Sequence, residues 1–222
     1  MPDQRLQRLH RAWRASSSSE DEALWLRERV RVGELTPARL RLAANCGHLA
    51  ARLALEEPAD DPDPDLARWV YQLGGGRRDA WLGESQRVFR MIALCAAELA
   101  LDAWSRTGAS GEGPWLVLEA LRVWAQREGE VPQRAVHEAY VHLAHPSADA
   151  LSLPRAADRQ QAVQTLEVLR IALTAFACPA PPRASAASAA RYAGALTDPE
   201  RVRQEVAARV IAWALATPGC AA

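Results

Sequence analysis

Lysine is missing from this chain, and all 27 of its basic residues are arginine. Asparagine occurs once, at Asn45, while alanine is abundant, so high-GC codon usage accounts for the absent lysine without a functional cause. Neither sign of charge dominates: 27 acids balance the 27 bases and the formal net charge is zero. Nucleic-acid binders are usually basic, so that class is disfavoured. No long hydrophobic run is present either. The longest, Met91 to Leu101, is interrupted by Glu98 and falls short of the roughly 20 residues that a bilayer requires. The opening residues, MPDQRLQRLHRAW, contain no apolar segment of the secretory type. Cysteine is sparse. Cys46, Cys95, Cys178 and Cys220 lie far apart without a C-x-x-C pair, which predicts reduced thiols in a cytoplasmic protein.

Catalytic signatures are also lacking. The chain holds no nucleophile elbow, no Cys–His pair within a recognisable motif and no glycine-rich dinucleotide fingerprint. No cofactor is implied.

What the sequence does contain is helical periodicity. Leu6, Leu9 and Trp13 recur at helix spacing while Arg5, Arg8, Arg11 and Arg14 take the other side, predicting an amphipathic helix over about 3–15. Ser19 and Glu22 have the spacing of a capping box, so a second helix should run to Val32 and stop at Gly33. Thr36 as cap and Pro37 at the first turn open a third, whose Leu40, Ala43, Ala44, Gly47 and Ala51 form a small-residue face. A short helix over 66–73 precedes the most apolar one, about 84–106, which should be central. Further helices are expected over 114–127, 132–143, 155–177, 184–193 and 199–216. No alternating strand pattern occurs.

The fold class is therefore all-α: antiparallel helix hairpins, about ten helices, arranged as a HEAT/armadillo-like stack or an irregular helical bundle. Helix plus loop averages about 22 residues, so a hairpin takes about 44, within the range of those repeats. GELTPARL from Gly33, GEVPQRAV from Gly129 and GALTDPERV from Gly194 echo one another as hairpin punctuation, with glycine ending one helix and proline starting the next. The stretch EEPADDPDPD carries three prolines and six acids without a base. It divides the chain into N-terminal hairpins (1–55), an acidic linker (56–66) and a main helical domain (67–222), unless 1–55 and 67–222 form one continuous domain.

Candidate sites are few. HEAYVHLAH, His137 to His145, is the only histidine cluster with a nearby carboxylate. His137 and His142 are five apart, about 140° around a helix, which rules out the zinc-protease arrangement. Glu138, His142 and His145 do share a face and are the candidate metal ligands or catalytic centre, set against a plain helix end before Pro146. DPDPD (61–65) begins like a calcium loop but has Leu66 where glycine is needed. GGGRR (74–78) lacks the lysine and hydroxyl of a P-loop. Arg5, Arg8, Arg11 and Arg14 form the one basic patch, suited to an acidic partner or an RNA backbone unless the acidic linker pairs with it. The eight tryptophans sit mostly at apolar helix positions and are read as core.

Glu20 to Leu55, EDEALWLRERVRVGELTPARLRLAANCGHLAARLAL, resembles a segment that opens many helical proteins of myxobacteria and other high-GC bacteria. RVRQEVAARVIAWAL, Arg201 to Leu215, is similar to the end of helical immunity-type proteins from such genomes. The resemblance implies a HEAT-like, non-enzymatic protein acting through protein contacts, either an immunity protein neutralising a cognate toxin or a regulatory adaptor. The expected partner is a protein, with no membrane, nucleic acid disfavoured and homo-oligomerisation open.

Overall fold

A computed structural model describes residues 2–55, 61–73, 82–126, 131–177 and 182–216, apart from the side chains of 2, 3, 82–84 and 145. These residues form an all-helical bundle of twelve helices, and none of them is in a strand. Residues 56–60 of the acidic linker, the GGGRR motif, Trp81, Gly129, Cys178 and Cys220 lie outside the described residues.

The described residues divide into two compact units. One is drawn from Met1–Asp63 and Ala207–Ala222, the other from Pro64–Gly74 and Ala80–Val206. One division falls between Asp63 and Pro64, within the acidic stretch, and the residues from Ala207 onward group with the N-terminal helices. A contiguous reading cannot anticipate this, because it has no access to contacts between distant segments.

The first unit opens with the hairpin of α1 (Pro2–Ser16) and α2 (Ser19–Arg31). Ser18 is the cap, its hydroxyl accepting from the Asp21 amide at 3.1 Å, one residue before the expected Ser19. Ser17 takes φ +53° to make the turn. α2 ends at Gly33, whose φ of +81° is the left-handed stop that glycine adopts without cost. Thr36 then caps α3 (Pro37–Asn45), accepting from Arg39 N at 3.2 Å with Pro37 at the first position. The small-residue face is not one helix. The chain breaks at Gly47 (φ +88°), where His48 N donates to Ala43 O, and restarts as α4 (Leu49–Ala54). The His48 Nδ1 accepts from Ala51 N at 3.2 Å and serves as the cap, a role that requires the ring proton to sit on Nε2. Leu26, Leu40, Leu42, Ala43 and Ala51 are buried, and the small side chains let α3 and α4 approach closely.

The second unit is organised by α6 (Leu82–Trp104), as its near-continuous apolarity predicted. Val88, Phe89, Ile92, Ala96, Ala100 and Trp104 are almost wholly buried, and α6 packs on α7 (Gly113–Gln126), α10 (Ala156–Ala177) and α11 (Arg183–Leu196). α11 is alanine-rich on its buried side, so α6, α10 and α11 pack mutually. α5 (Leu66–Leu73) lies on α11. Gly194 does not end α11. It lies in the last turn, where a Cβ would approach Leu66 Cδ2 to 3.2 Å and Pro199 Cα to 3.3 Å.

α8 (Gln133–Val141) is followed almost at once by α9 (Ala144–Ser152), which the sequence reading missed by taking Pro146 as a helix stop. Pro146 is the third residue of α9, where its missing N–H would have had no intrahelical partner. α12 (Pro199–Leu215) starts in the second unit and ends in the first.

Candidate functional site

The histidine cluster is split by the α8–α9 junction. Glu138 is exposed and its carboxylate takes an ion pair from Arg134 at 2.9 Å. His142 is the exposed C-terminal cap of α8, and His145 belongs to α9, its side chain lying outside the described residues. A shared face requires one continuous helix, and that helix ends before His145. No group of three His, Cys, Asp or Glu among the described residues could hold a metal ion.

The four arginines of α1 are all exposed. Arg5 is partly enlisted by the fold: its Nε lies 3.4 Å from the carboxylate of Glu28, which is only 3% exposed. Glu28 also accepts 2.9 and 2.6 Å bonds from Arg31. Those hydrogen bonds, with the charges of Arg31 and Arg5, hold its carboxyl below the usual carboxylate range against the opposing effect of burial. The inner side of α1 is fixed by Trp13, stacked on Trp25 of α2 at 4.6 Å and 13°, with His10 packed against both rings. Arg52, which lies on α4, bonds Asp61 of the acidic stretch at 2.8 Å.

The structure also reveals a surface absent from the sequence reading. α7 buries Val117, Leu118, Leu121 and Trp124 and turns Trp115, Leu116 and Val123 outward, at 45%, 46% and 43% exposure. At about 100° per residue these three fall within an arc of about 100°. Tryptophan was thus read correctly as core at 69, 104 and 124, but not at 115. The available signal was an excess: α7 carries more apolar residues than one face can take. Arg122 borders the patch, reaching Glu119 at 2.7 Å and Glu98 of α6 at 3.0 Å, and these bonds raise its pKa further. The start of α7 is held against the α8–α9 junction, since Gly113 leaves no room for a Cβ beside the His142 carbonyl and the Pro146 ring. The patch is therefore carried on a helix whose first turn is closely packed.

Comparison with profiles of known protein families, with characterised proteins and with solved structures returns no match. No described helix is long and apolar enough to cross a membrane.

Proposed function

We propose that this protein is a non-enzymatic protein-binding module that engages its partner through the outer face of α7. The carrying observation is the exposure of Trp115 together with Leu116 and Val123 on a helix that is already fully packed on its other side. Large apolar residues on one exposed face, with the Glu119–Arg122 ion pair among them, have the composition of an interface hot spot, in which tryptophan and its neighbours supply most of the binding energy. Seating on a packed bundle means that little ordering has to occur on binding. The specific forms we favour, from the sequence resemblance, are an immunity protein that neutralises a cognate toxin or a regulatory adaptor.

The test is capture of a partner from the native lysate, and co-expression with any toxin encoded beside the gene, using the full chain and a Trp115→Ala, Leu116→Ala, Val123→Ala variant. The reading requires a specific partner or protection with the wild-type chain and loss of at least tenfold in capture with the variant. Absence of both with the wild type, or equal capture by the two chains, overturns it.

A further inference from the structure

The solvent side of α1 has a different chemistry from that of α7 and belongs to the other unit. We propose that Arg8, Arg11 and Arg14 form a second docking surface, whose occupant is an acidic protein surface.

The spacing sets the shape of this face. Residues three apart on a helix are displaced by about 4.5 Å along the axis and rotated by about 60°, so the guanidinium groups wind around roughly a third of the circumference. None of the three has a carboxylate within ion-pair distance among the described residues. Arg11 reaches only the backbone carbonyl of Gln7, at 3.4 Å, and Arg14 rests over the Trp13 ring at 5.2 Å. Several carboxylates of the unit are engaged elsewhere: Glu28 by Arg31 and Arg5, Glu34 beside Arg29, and Asp61 by Arg52, while Asp21 accepts from the Ser16 hydroxyl. The result is a helix face whose three guanidinium groups make no ion pair among the described residues, on a chain whose net charge is zero.

Three kinds of anionic partner could meet such a face, and the packing of α1 discriminates among them. A helix that lies on a membrane must offer its apolar side to the acyl chains. Here that side faces α2, with Trp13 committed to its stack on Trp25. Single-stranded nucleic acid is held by aromatic rings on which bases stack. Both indoles are already covered, Trp13 by Trp25 and Arg14, and Trp25 by Trp13, His10 and Arg29. The carboxylates of an acidic protein surface need no stacking platform, and each can pair with a guanidinium in the bidentate manner that arginine favours.

The full-length chain should be titrated with poly-L-glutamate, with poly(U) RNA and with phosphatidylcholine vesicles containing phosphatidylserine. Poly-L-glutamate should bind more tightly than either of the others, and its affinity should fall at least about tenfold as salt rises from about 50 to about 200 mM. An Arg8→Gln, Arg11→Gln, Arg14→Gln variant should lose at least tenfold in that affinity with unchanged circular dichroism, and the corresponding lysine variant should recover part of it. A control variant with Arg106→Gln, Arg134→Gln and Arg155→Gln should bind as the wild type does. Tighter binding of RNA or vesicles, no binding of poly-L-glutamate, or equal loss in both triple variants overturns the proposal. The α7 triple variant should keep its poly-L-glutamate affinity, which separates failure of this surface from failure of the α7 reading.

Discussion

The guanidinium of Arg29 on α2 donates a 2.7 Å hydrogen bond to the carbonyl of Leu215, the last residue of α12, and a second of 3.3 Å to Ala216. A helix end leaves its final carbonyls without intrahelical partners, and a cation there also complements the helix dipole. Arg29 is fully buried, lies 3.7 Å from Glu34 and sits over the Trp25 ring at 4.9 Å. Burial pushes its pKa down and the Glu34 carboxylate opposes that. Removing the guanidinium would leave these two part-buried carbonyls without their partner and a cavity in its place. Arg29→Ala should therefore cost about 3 kcal/mol in urea unfolding. Arg29→Lys should recover less than half of it, since an ammonium cannot present the same planar fork.

The Glu28 carboxyl supplies a pH dependence of defined sign. Its folded pKa lies below the unfolded value, which is about 4.3 for glutamate. Its stabilising effect is then fully present above that value and is lost as pH falls through the folded pKa. Wild type and Glu28→Gln should differ in unfolding midpoint at pH 7, and the difference should shrink steadily below about pH 4. A gap that is constant down to pH 3 would contradict the Arg31–Glu28–Arg5 arrangement.

Two glycines should respond differently to alanine. Gly113→Ala drives a Cβ into the His142 carbonyl, a backbone atom that cannot move aside, with Pro146 Cγ at 2.8 Å. A loss of about 3 kcal/mol is expected by thermal or urea unfolding. Gly33→Ala meets no atom within 4 Å but must hold φ +81°, so about 1 kcal/mol is expected.

Tryptophan burial separates stability from binding. Trp69 is 1% exposed, and its replacement by alanine should cost about 3–5 kcal/mol. Trp115→Ala should change stability by no more than about 0.5 kcal/mol while weakening partner capture. A large stability loss at Trp115 would show that its ring belongs to the fold.

The thiol of Cys46 is pushed up to about 12 by burial, and Cys95 is buried in α6. In a Cys178→Ser, Cys220→Ser chain, a thiol reagent at pH 8 should leave both unmodified until urea is added. The thiolate is the reactive form and is nearly absent from Cys46 at that pH, while Cys95 is shielded by its burial in α6.

Much of the helical framework is legible in the amino-acid order. Thr36–Pro37, the glycine at 33 and the apolar run of α6 are local signals, and each is obeyed. The failures have local causes of their own. Ser18 and Ser19 are chemically equivalent caps, so the choice rests on the turn at Ser17. Gly47 can sit within a helix or end one, and Pro146 can stop a helix or begin one. The candidate sites were less legible. The arginines of α1 follow from periodicity, but which of them the fold itself consumes depends on Glu28, more than ten residues away. Trp115 differs from Trp124 only in the direction it faces.

By itself the sequence determined that the chain is helical, where most helices start and stop, and which one is central, because capping, proline geometry and apolar periodicity act within a few residues. Only the tertiary structure decided that α12 finishes beside α2, that Gly113 has no room for a Cβ because a backbone carbonyl and a proline ring crowd it, and that one face of α7 is left in solvent. Those outcomes depend on contacts between distant segments, and no local pattern encodes them.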